Sequence, residues 1–502
     1  MARTKTTTTQ KRNTKKILFV SSEAVPFVKT GGLADVSGAL PKALAKEGHD
    51  IRLVLPRYWS IDVARPGFEK ILSPMGVRLG DRTAWCEVFE TKMDGVTIYF
   101  IEHQNFFGRS GLYDDGRWEY PDNAERFGFF SKACLQLCRD LGFQPDIIHC
   151  NDWQTSLIPA YLKIWYLNDP FFSRTASVLS IHNIGYQGVF PSGCYEFLGL
   201  GKENFTEPKL ESHGRVHFMK GGIFYADAIS TVSPSYAEEI LTPEGGMGLT
   251  PYLERRRDDV LGVLNGADYD HWDPGKDTFI PSRYSASSLS GKQKCKEALQ
   301  KEMLLAADPS IPVIGVISRL VAQKGFQLLV PVIESIVRDM RVQFAILGAG
   351  EKWMEDFFGG LPAKYPGKIG AWIGYSDPKA HLIEAGSDFF LMPSLYEPCG
   401  LNQIYSMRYG TLPIVREIGG LKDTVRQYDE SAGTGTGFRF TDPDPMALYY
   451  AIGWAISTFY DRPRHIENMI KEAMRADFSW KESAIHYLTL YEKAIARRAS
   501  WK

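Results

Sequence analysis

The run I-L-F-V-S-S at Ile17–Ser22 passes through Glu23 into K-T-G-G-L-A-D-V-S-G-A-L-P at 29–41. A short apolar run that ends in a loop and is followed by a helical pattern reads as a strand of a parallel sheet. The Gly-Gly pair sits at the turn into the helix. The same signal recurs at Ile51–Leu55, Asp146–His149, Ser177–Ile181 and Asp227–Val232. After a break it returns at Val313–Ile317, Gln343–Leu347, Gly370–Ile373, Asp388–Met392 and Leu412–Val415. Strands alternating with helices predict an α/β fold with crossover connections. Val88–Glu102, containing T-I-Y-F-I, predicts an added strand or hairpin in the first half.

A chain of 502 residues is too long for one hydrophobic core and predicts two or three domains. The break at 265–291, N-G-A-D-Y-D-H-W-D-P-G-K-D-T-F-I-P-S-R-Y-S-A-S-S-L-S-G, is rich in Gly, Pro, Ser and Asp and has no sustained period. That composition predicts a linker or hinge. The predicted order is a basic tail over 1–16, a first domain over 17–264, the linker, and a second domain over 292–480. The second domain opens on a helix at Lys292–Ala306. A last helix, Trp480–Ala496, carries Ile485, Leu488, Leu490 and Tyr491, and residues 481–502 are expected to pack back on the first domain.

Composition removes several classes of function. A formal net charge of −1 supplies no field to attract nucleic acid or an anionic membrane. No apolar run approaches the ~20 residues that span a bilayer. The seven cysteines (86, 134, 138, 150, 194, 295, 399) are odd in number, irregularly spaced and without a C-x-x-C pair. They indicate buried thiols in a reducing compartment, with neither a disulfide framework nor a zinc ribbon. The ten histidines are scattered, so no metal site is expected. The opening M-A-R-T-K-T-T-T-T-Q-K-R-N-T-K-K reads as a solvated, disordered tail, with a transit-peptide remnant as the alternative.

In an open parallel sheet, ligands bind beyond the carboxyl ends of the strands. The residues after each predicted strand are therefore the candidates. In the first half these are Glu23 and Lys29–Asp35, then N-D-W at 151–153, then His182-Asn183. In the second they are Arg319 and Lys324, G-A-G-E-K at 348–352, Tyr375, and E-P-C-G-L at 397–401. A Gly-Gly pair before a helix lets amides approach an oxyanion. Arg319 and Lys324 suit a diphosphate leaving group. Pro398 suits a first helical turn, so the amides of Cys399, Gly400 and Leu401 are expected at a helix start, behind the carboxylate of Glu397. Neither G-x-x-x-x-G-K-[ST] nor G-x-G-x-x-G occurs at these turns, which disfavours a P-loop NTPase and a nicotinamide enzyme.

Five strings in order, K-T-G-G-L-A-D-V-S-G-A-L-P at 29–41, H-N-I-G-Y-Q-G at 182–188, N-G-A-D at 265–268, S-R-L-V-A-Q-K-G at 318–325 and P-S-L-Y-E-P-C-G-L-N-Q at 393–403, resemble the bacterial glycogen synthase and plant starch synthase family. The resemblance runs from about Ile17 to the last helix. It implies GT-B architecture: two Rossmann-like domains facing across a deep cleft, the first on the acceptor side and the second binding the nucleotide sugar. It also implies transfer of glucose from ADP-glucose, with UDP-glucose as the alternative donor, to the 4-hydroxyl of an α-1,4-glucan with retention of configuration. It implies no cofactor, no metal at the pyrophosphate, and a cytoplasmic enzyme. By the same resemblance Lys29 and Gly32 lie at the phosphates with Asp35 supporting their loop, and Arg319 and Lys324 neutralise the departing diphosphate. Tyr375 lies against the adenine. Asp152, Asn265, Glu397 and the amides of Cys399, Gly400 and Leu401 hold the donor glucose. His182 sits beneath the anomeric carbon, with Asn183 beside it among the substrate-binding groups. One diphosphate meeting cations of both halves requires the halves to close on it.

Many retaining relatives in the wider superfamily carry a second Glu eight positions after the first, where this chain has Tyr405. One carboxylate near the anomeric centre argues for a front-face mechanism over a double displacement. Three rivals remain: a glucan phosphorylase, which would need a pyridoxal-phosphate lysine motif and a longer chain, a nicotinamide oxidoreductase, and a non-catalytic glucan-binding protein.

Overall fold

The computed structural model describes residues 14–501, so residues 1–13 of the expected tail lie outside the described residues. The chain divides into two compact units. The first takes the chain through Thr231, Ile240–Leu261 and the residues from Ser483 onward; the second takes Val232–Glu239 and Gly262–Glu482. No helix of the described residues is long and apolar enough to cross a membrane.

The first unit holds a nine-stranded sheet. Across it run Val260–Gly262, Ala228–Thr231, Ala176–Ile181, Ile147–Asn151, Lys16–Val20, Asp50–Pro56, Val96–Glu102, Arg82–Met93 and Glu69–Leu79. The strands from Ala228–Thr231 to Val96–Glu102 pair in parallel. Counted along the chain, those six stand in the spatial order 3-2-1-4-5-6, the doubly wound order of dinucleotide-binding sheets. The second unit repeats it, with Ile369–Ile373, Gln343–Gly350, Val313–Leu320, Phe389–Met392, Leu412–Arg416 and Phe438–Phe440 all parallel. Each sheet therefore reverses direction between its first and fourth strands. These switch points lie between Lys16–Val20 and Ile147–Asn151, and between Val313–Leu320 and Phe389–Met392. Ligands of such sheets bind there.

The ten expected strands are all present, and their differences in extent have causes. Val313–Leu320 and Gln343–Gly350 run longer than predicted because the pairing continues from Val313↔Gln343 to Leu320↔Gly350. Gly348 and Gly350, read as a loop, are thus strand. A Cβ at Gly348 would stand 2.3 Å from the carbonyl oxygen of Ser318, so glycine permits this close pairing. Val88–Glu102 resolves into the hairpin Arg82–Met93 and Val96–Glu102. Its Asp94-Gly95 turn has φ 50° and 81°, the geometry that a two-residue hairpin favours. Glu69–Leu79 was not foreseen, because two register shifts against its partner break the alternation that would betray a strand.

The stretch 265–291 is no free linker. It lies in the second unit, where Ala267 N–H donates to the Phe478 carbonyl at 2.7 Å and Tyr284 Oη–H donates to the Tyr409 carbonyl at 2.8 Å. Trp272 stacks on His381 at 3.9 Å and on Tyr405 at 4.5 Å between ring centroids. Its Asp residues make local turns, Asp268 accepting from Asp270, Asp273 from Gly275 and Asp277 from Phe279. Such turns explain the missing period without mobility. The helix that follows spans Ser290–Glu302. The last helix, Trp480–Ala499, buries Ala484, Tyr487, Leu490, Tyr491 and Ala494, a three-and-four spacing, while Ile485 is exposed. Tyr491 Oη lies 2.8 Å from His149 Nδ1, which ties this helix into the first unit.

Candidate active site

At the switch point of the first unit, the buried carboxylate of Glu23 organises the glycine turn. It accepts the Thr30 amide at 2.5 Å, the Gly31 amide at 3.2 Å, the Thr30 hydroxyl at 2.8 Å and Tyr113 Oη–H at 2.9 Å. Two of the amides expected to meet an oxyanion are therefore already taken, and Gly32 opens the helix Gly32–Lys46 beyond them. Lys29 Nζ donates to Asp35 Oδ1 at 2.7 Å across that turn. Gly31 and Gly32 both have negative-φ backbones, and a Cβ on either would meet nothing within 4 Å. Nothing among the described residues requires glycine at these two positions.

Asp152 and His182 end adjacent strands. Asp152 sits at φ 54° and does not cap the short helix after it. Instead its Oδ1 accepts the His182 N–H at 2.7 Å, and Asn183 N–H also donates to it. Burial pushes the Asp152 carboxyl up to about 7 against those two bonds, with the Glu23 charge adding to the rise. Asn151 Nδ2 donates to the Val20 carbonyl at 2.9 Å, so its Oδ1 is left to accept His182 Nε2–H, also at 2.9 Å. Burial lowers the His182 imidazole to about 3, so the ring is neutral at physiological pH. Asn183 Oδ1 accepts the Gly185 amide at 2.9 Å and closes the turn.

At the switch point of the second unit, Glu397 is buried and its Oε2 takes two donors, Lys324 Nζ at 2.6 Å and Ser394 Oγ–H at 2.9 Å. The helix expected to begin at Pro398 starts later, at Asn402 with Leu401 as its cap. Residues 397–400 form a loop, and Gly400 at φ 72° turns it. Three groups hold that loop by its carbonyls, Ser233 Oγ–H donating to Pro398 at 2.6 Å, Gly420 N–H to Glu397 at 3.1 Å, and Gln403 Nε2–H to Cys399 and Gly400 at 3.0 Å, and the Asn265 N–H donates to the Cys399 sulfur. The amides of Cys399, Gly400 and Leu401 donate to no acceptor among the described residues. Asn265 is buried, and its Oδ1 has no hydrogen-bond partner among the described residues. A buried carbonyl without a donor costs about 1–3 kcal/mol unless a ligand supplies one. Burial pushes the neighbouring Cys399 thiol up to about 12, so it is no nucleophile.

Arg319 is exposed on the last turn of its strand. Tyr375 is 83% exposed, and its Oη–H donates to Asp377 Oδ1 at 3.0 Å. Tyr405, where a second carboxylate was sought, is buried against Trp272. Within the first unit the structure brings Lys29, Gly32 and Asp35 to one turn and Asp152, His182 and Asn183 to another. Within the second it gathers Asn265, Lys324, Glu397, Cys399, Gly400 and Leu401.

The family model for the starch synthase catalytic domain matches residues 16–255, and that for group 1 glycosyl transferases matches residues 305–473. Glycogen synthase 1 of Geobacter metallireducens is 46% identical over 493 residues, covering 97% of this chain and 97% of that protein. The chain belongs to the glycogen and starch synthase family. Glycogen synthase of Treponema denticola is 44% identical over 492 residues, covering 97% of this chain and 99% of that protein. The catalytic domain of starch synthase IV from Arabidopsis thaliana, solved with ADP and acarbose, superposes with a TM-score of 0.88 at 31% identity, over 96% of this chain and 100% of that one. Sucrose-phosphate synthase of Thermosynechococcus elongatus, at 17% identity and a TM-score of 0.57, shares the fold. The expected fold class is thus borne out: this is an α/β glycosyltransferase of the GT-B class.

Sequence reasoning passed over several residues that shape the site. Glu23 was noted only as the residue after a strand, and its four hydrogen bonds come from residues up to 90 positions away. Ser233 and Gly420 contribute single contacts to a loop distant in sequence, which no local spacing encodes. His271, Asp377 and His381 form a cluster that scattered histidines did not suggest.

Proposed function

We propose that this protein lengthens an α-1,4-glucan, moving glucose from ADP-glucose to a non-reducing-end 4-hydroxyl with retention of anomeric configuration. The observation that carries this reading is the Glu397 loop, where a buried carboxylate adjoins three amides without acceptors and the unpartnered Asn265 Oδ1. That array presents both donors and acceptors, as a sugar rich in hydroxyls demands. The choice of ADP is supported by the starch synthase IV catalytic domain, which was solved bound to ADP.

In this reading Glu397, Asn265, Asp152 and the amides of Cys399, Gly400 and Leu401 hold the donor glucose. Arg319 and Lys324 take the diphosphate. Lys324 uses one of its three ammonium protons on Glu397, and the others remain for phosphate oxygens. Lys29, Gly32 and Asp35 serve the phosphates, Tyr375 the adenine, and Asn183 the sugar side. The bond from the anomeric carbon to the diphosphate breaks as the bond to the acceptor oxygen forms on the same face. The acceptor's proton passes to the leaving phosphate oxygen, giving ADP and a glucan one residue longer. The neutral His182, with its ring and backbone carbonyl, stabilises the positive charge that develops at the anomeric carbon.

The test is to incubate purified protein with glycogen and either ADP-glucose or UDP-glucose and to measure nucleotide release. Release from ADP-glucose is expected. Release from UDP-glucose alone would overturn the donor, and release from neither would overturn the glucan synthase reading.

A further inference from the structure

Asp377 and His381, one turn apart on the helix Asp377–Gly386, meet His271 from a distant part of the chain in the second unit. His381 Nε2 lies 3.2 Å from His271 Nε2, and His271 Nε2 lies 3.8 Å from Asp377 Oδ2. All three ligand atoms fall within 4.8 Å of one another. We propose that His271, His381 and Asp377 bind a divalent transition-metal ion of the zinc type, with solvent as fourth ligand.

The orientation of His381 carries the inference. Its Nδ1 lies 2.7 Å from Asp277 Oδ2, and the same oxygen accepts Tyr409 Oη–H at 2.6 Å. A carboxylate can only accept, so the His381 proton resides on Nδ1 and Nε2 presents its lone pair to His271. A carboxylate behind a histidine is the outer partner that ligating imidazoles ordinarily have, and it fixes both tautomer and ring orientation. The His381 ring is fully buried and lies flat on Trp272 at 3.9 Å between centroids and 4° between planes, so it cannot turn away. On the other side, the side chains of His271 and Asp377 are 47% and 37% exposed, which leaves an entry path and room for water.

The spacing fits a metal. Ligands about 2.0–2.1 Å from a tetrahedral zinc ion stand roughly 3.3 Å from one another. The two imidazole nitrogens already stand at 3.2 Å, and the gap of 3.8 Å to Asp377 closes with a small rotation of an exposed carboxylate. Asp377 stands one turn before His381 on the helix Asp377–Gly386, the i, i+4 spacing that brings two side chains to one face. Asp377 Oδ1 also accepts the Tyr375 hydroxyl, so an occupied site ties the Tyr375 turn to the buried His381. A lower KM for the donor would follow, and that consequence alone rests on the adenine-stacking role proposed above for Tyr375.

The experiment titrates EDTA-stripped full-length protein with Co²⁺ and reads the visible bands that mark four-coordination, then displaces the Co²⁺ with Zn²⁺. One tight equivalent per chain is expected. The seven cysteines are all buried, so they do not compete. His271→Ala and Asp377→Asn should each weaken Co²⁺ binding about tenfold or more. Both sit at partly exposed positions, and unchanged unfolding in EDTA will show that they fold. Absence of the bands at one equivalent, or wild-type affinity in either variant, would overturn the site. Neither outcome touches the glucan synthase reading, which nucleotide release tests separately.

Discussion

Asp152 Oδ1 accepts the backbone N–H of His182 at 2.7 Å, joining the ends of two neighbouring strands in the first unit. Burial holds the Asp152 carboxyl at about 7, above its usual value, while His182 is held near 3. Protonation below neutrality therefore takes the charge from the Asp152 carboxylate and weakens it as an acceptor for a sugar hydroxyl. We expect kcat/KM to rise with pH through about 7, and Asp152→Asn to abolish that rise along with most of the activity. No limb should trace to His182, whose ring stays neutral above pH 4 or so. A pH–rate profile that is flat from 5 to 8 in the wild-type protein would contradict this.

Gly31 and Gly32 have room for a side chain and no positive φ. Alanine at either position should leave thermal unfolding unchanged or slightly raised, since glycine costs up to about 1 kcal/mol in flexibility. In the proposed reading a methyl group would stand against the donor phosphates, so the KM for the nucleotide sugar should rise. If donor KM is unaffected, the glycines do not face the donor.

The two candidate cations, Lys324 and Arg319, should separate by stability. Lys324 is paired with the buried Glu397, so Lys324→Met leaves a carboxylate without its partner and should destabilise by roughly 3 kcal/mol. Arg319 is exposed, and Arg319→Ala should leave the midpoint of unfolding in place while turnover falls on the order of 10²-fold. Urea unfolding beside steady-state kinetics reads both.

Glu397→Gln keeps the shape of the loop and the bond from Ser394 but removes the charge opposite Lys324. Turnover should drop by about 10²-fold or more. Mass spectrometry of the wild-type protein during turnover should find only unmodified chain, because Tyr405, stacked on Trp272, supplies no second carboxylate at its position. A glucosylated protein would establish a double displacement.

The alternation of strand and helix was readable because buried parallel strands are short apolar runs, a property of neighbours in the chain. The loops of the site were readable because they follow those strands and carry Gly, Lys, Arg and Glu where a sheet of this kind binds its ligands. The linker reading failed at 265–291 because Asx turns and Ser-rich loops have the same composition whether or not Trp272 and Tyr284 anchor them. The helix start at Pro398 failed for a related reason. Proline is favoured in a first turn, yet the Ser233 and Gly420 contacts hold residues 397–400 as a loop.

By itself, then, the sequence determined the fold class and the two sheets, through local period, and the glycogen and starch synthase family, through its motif strings. Tertiary structure alone decided what those residues meet. It placed Glu23 under the glycine turn, buried Asn265 without a donor, set Lys324 on Glu397 and turned His381 toward His271. The Lys324–Glu397 and His381–His271 contacts bring side chains remote in the chain within about 3 Å, and hydrogen bonds and ion pairs are decided at that range.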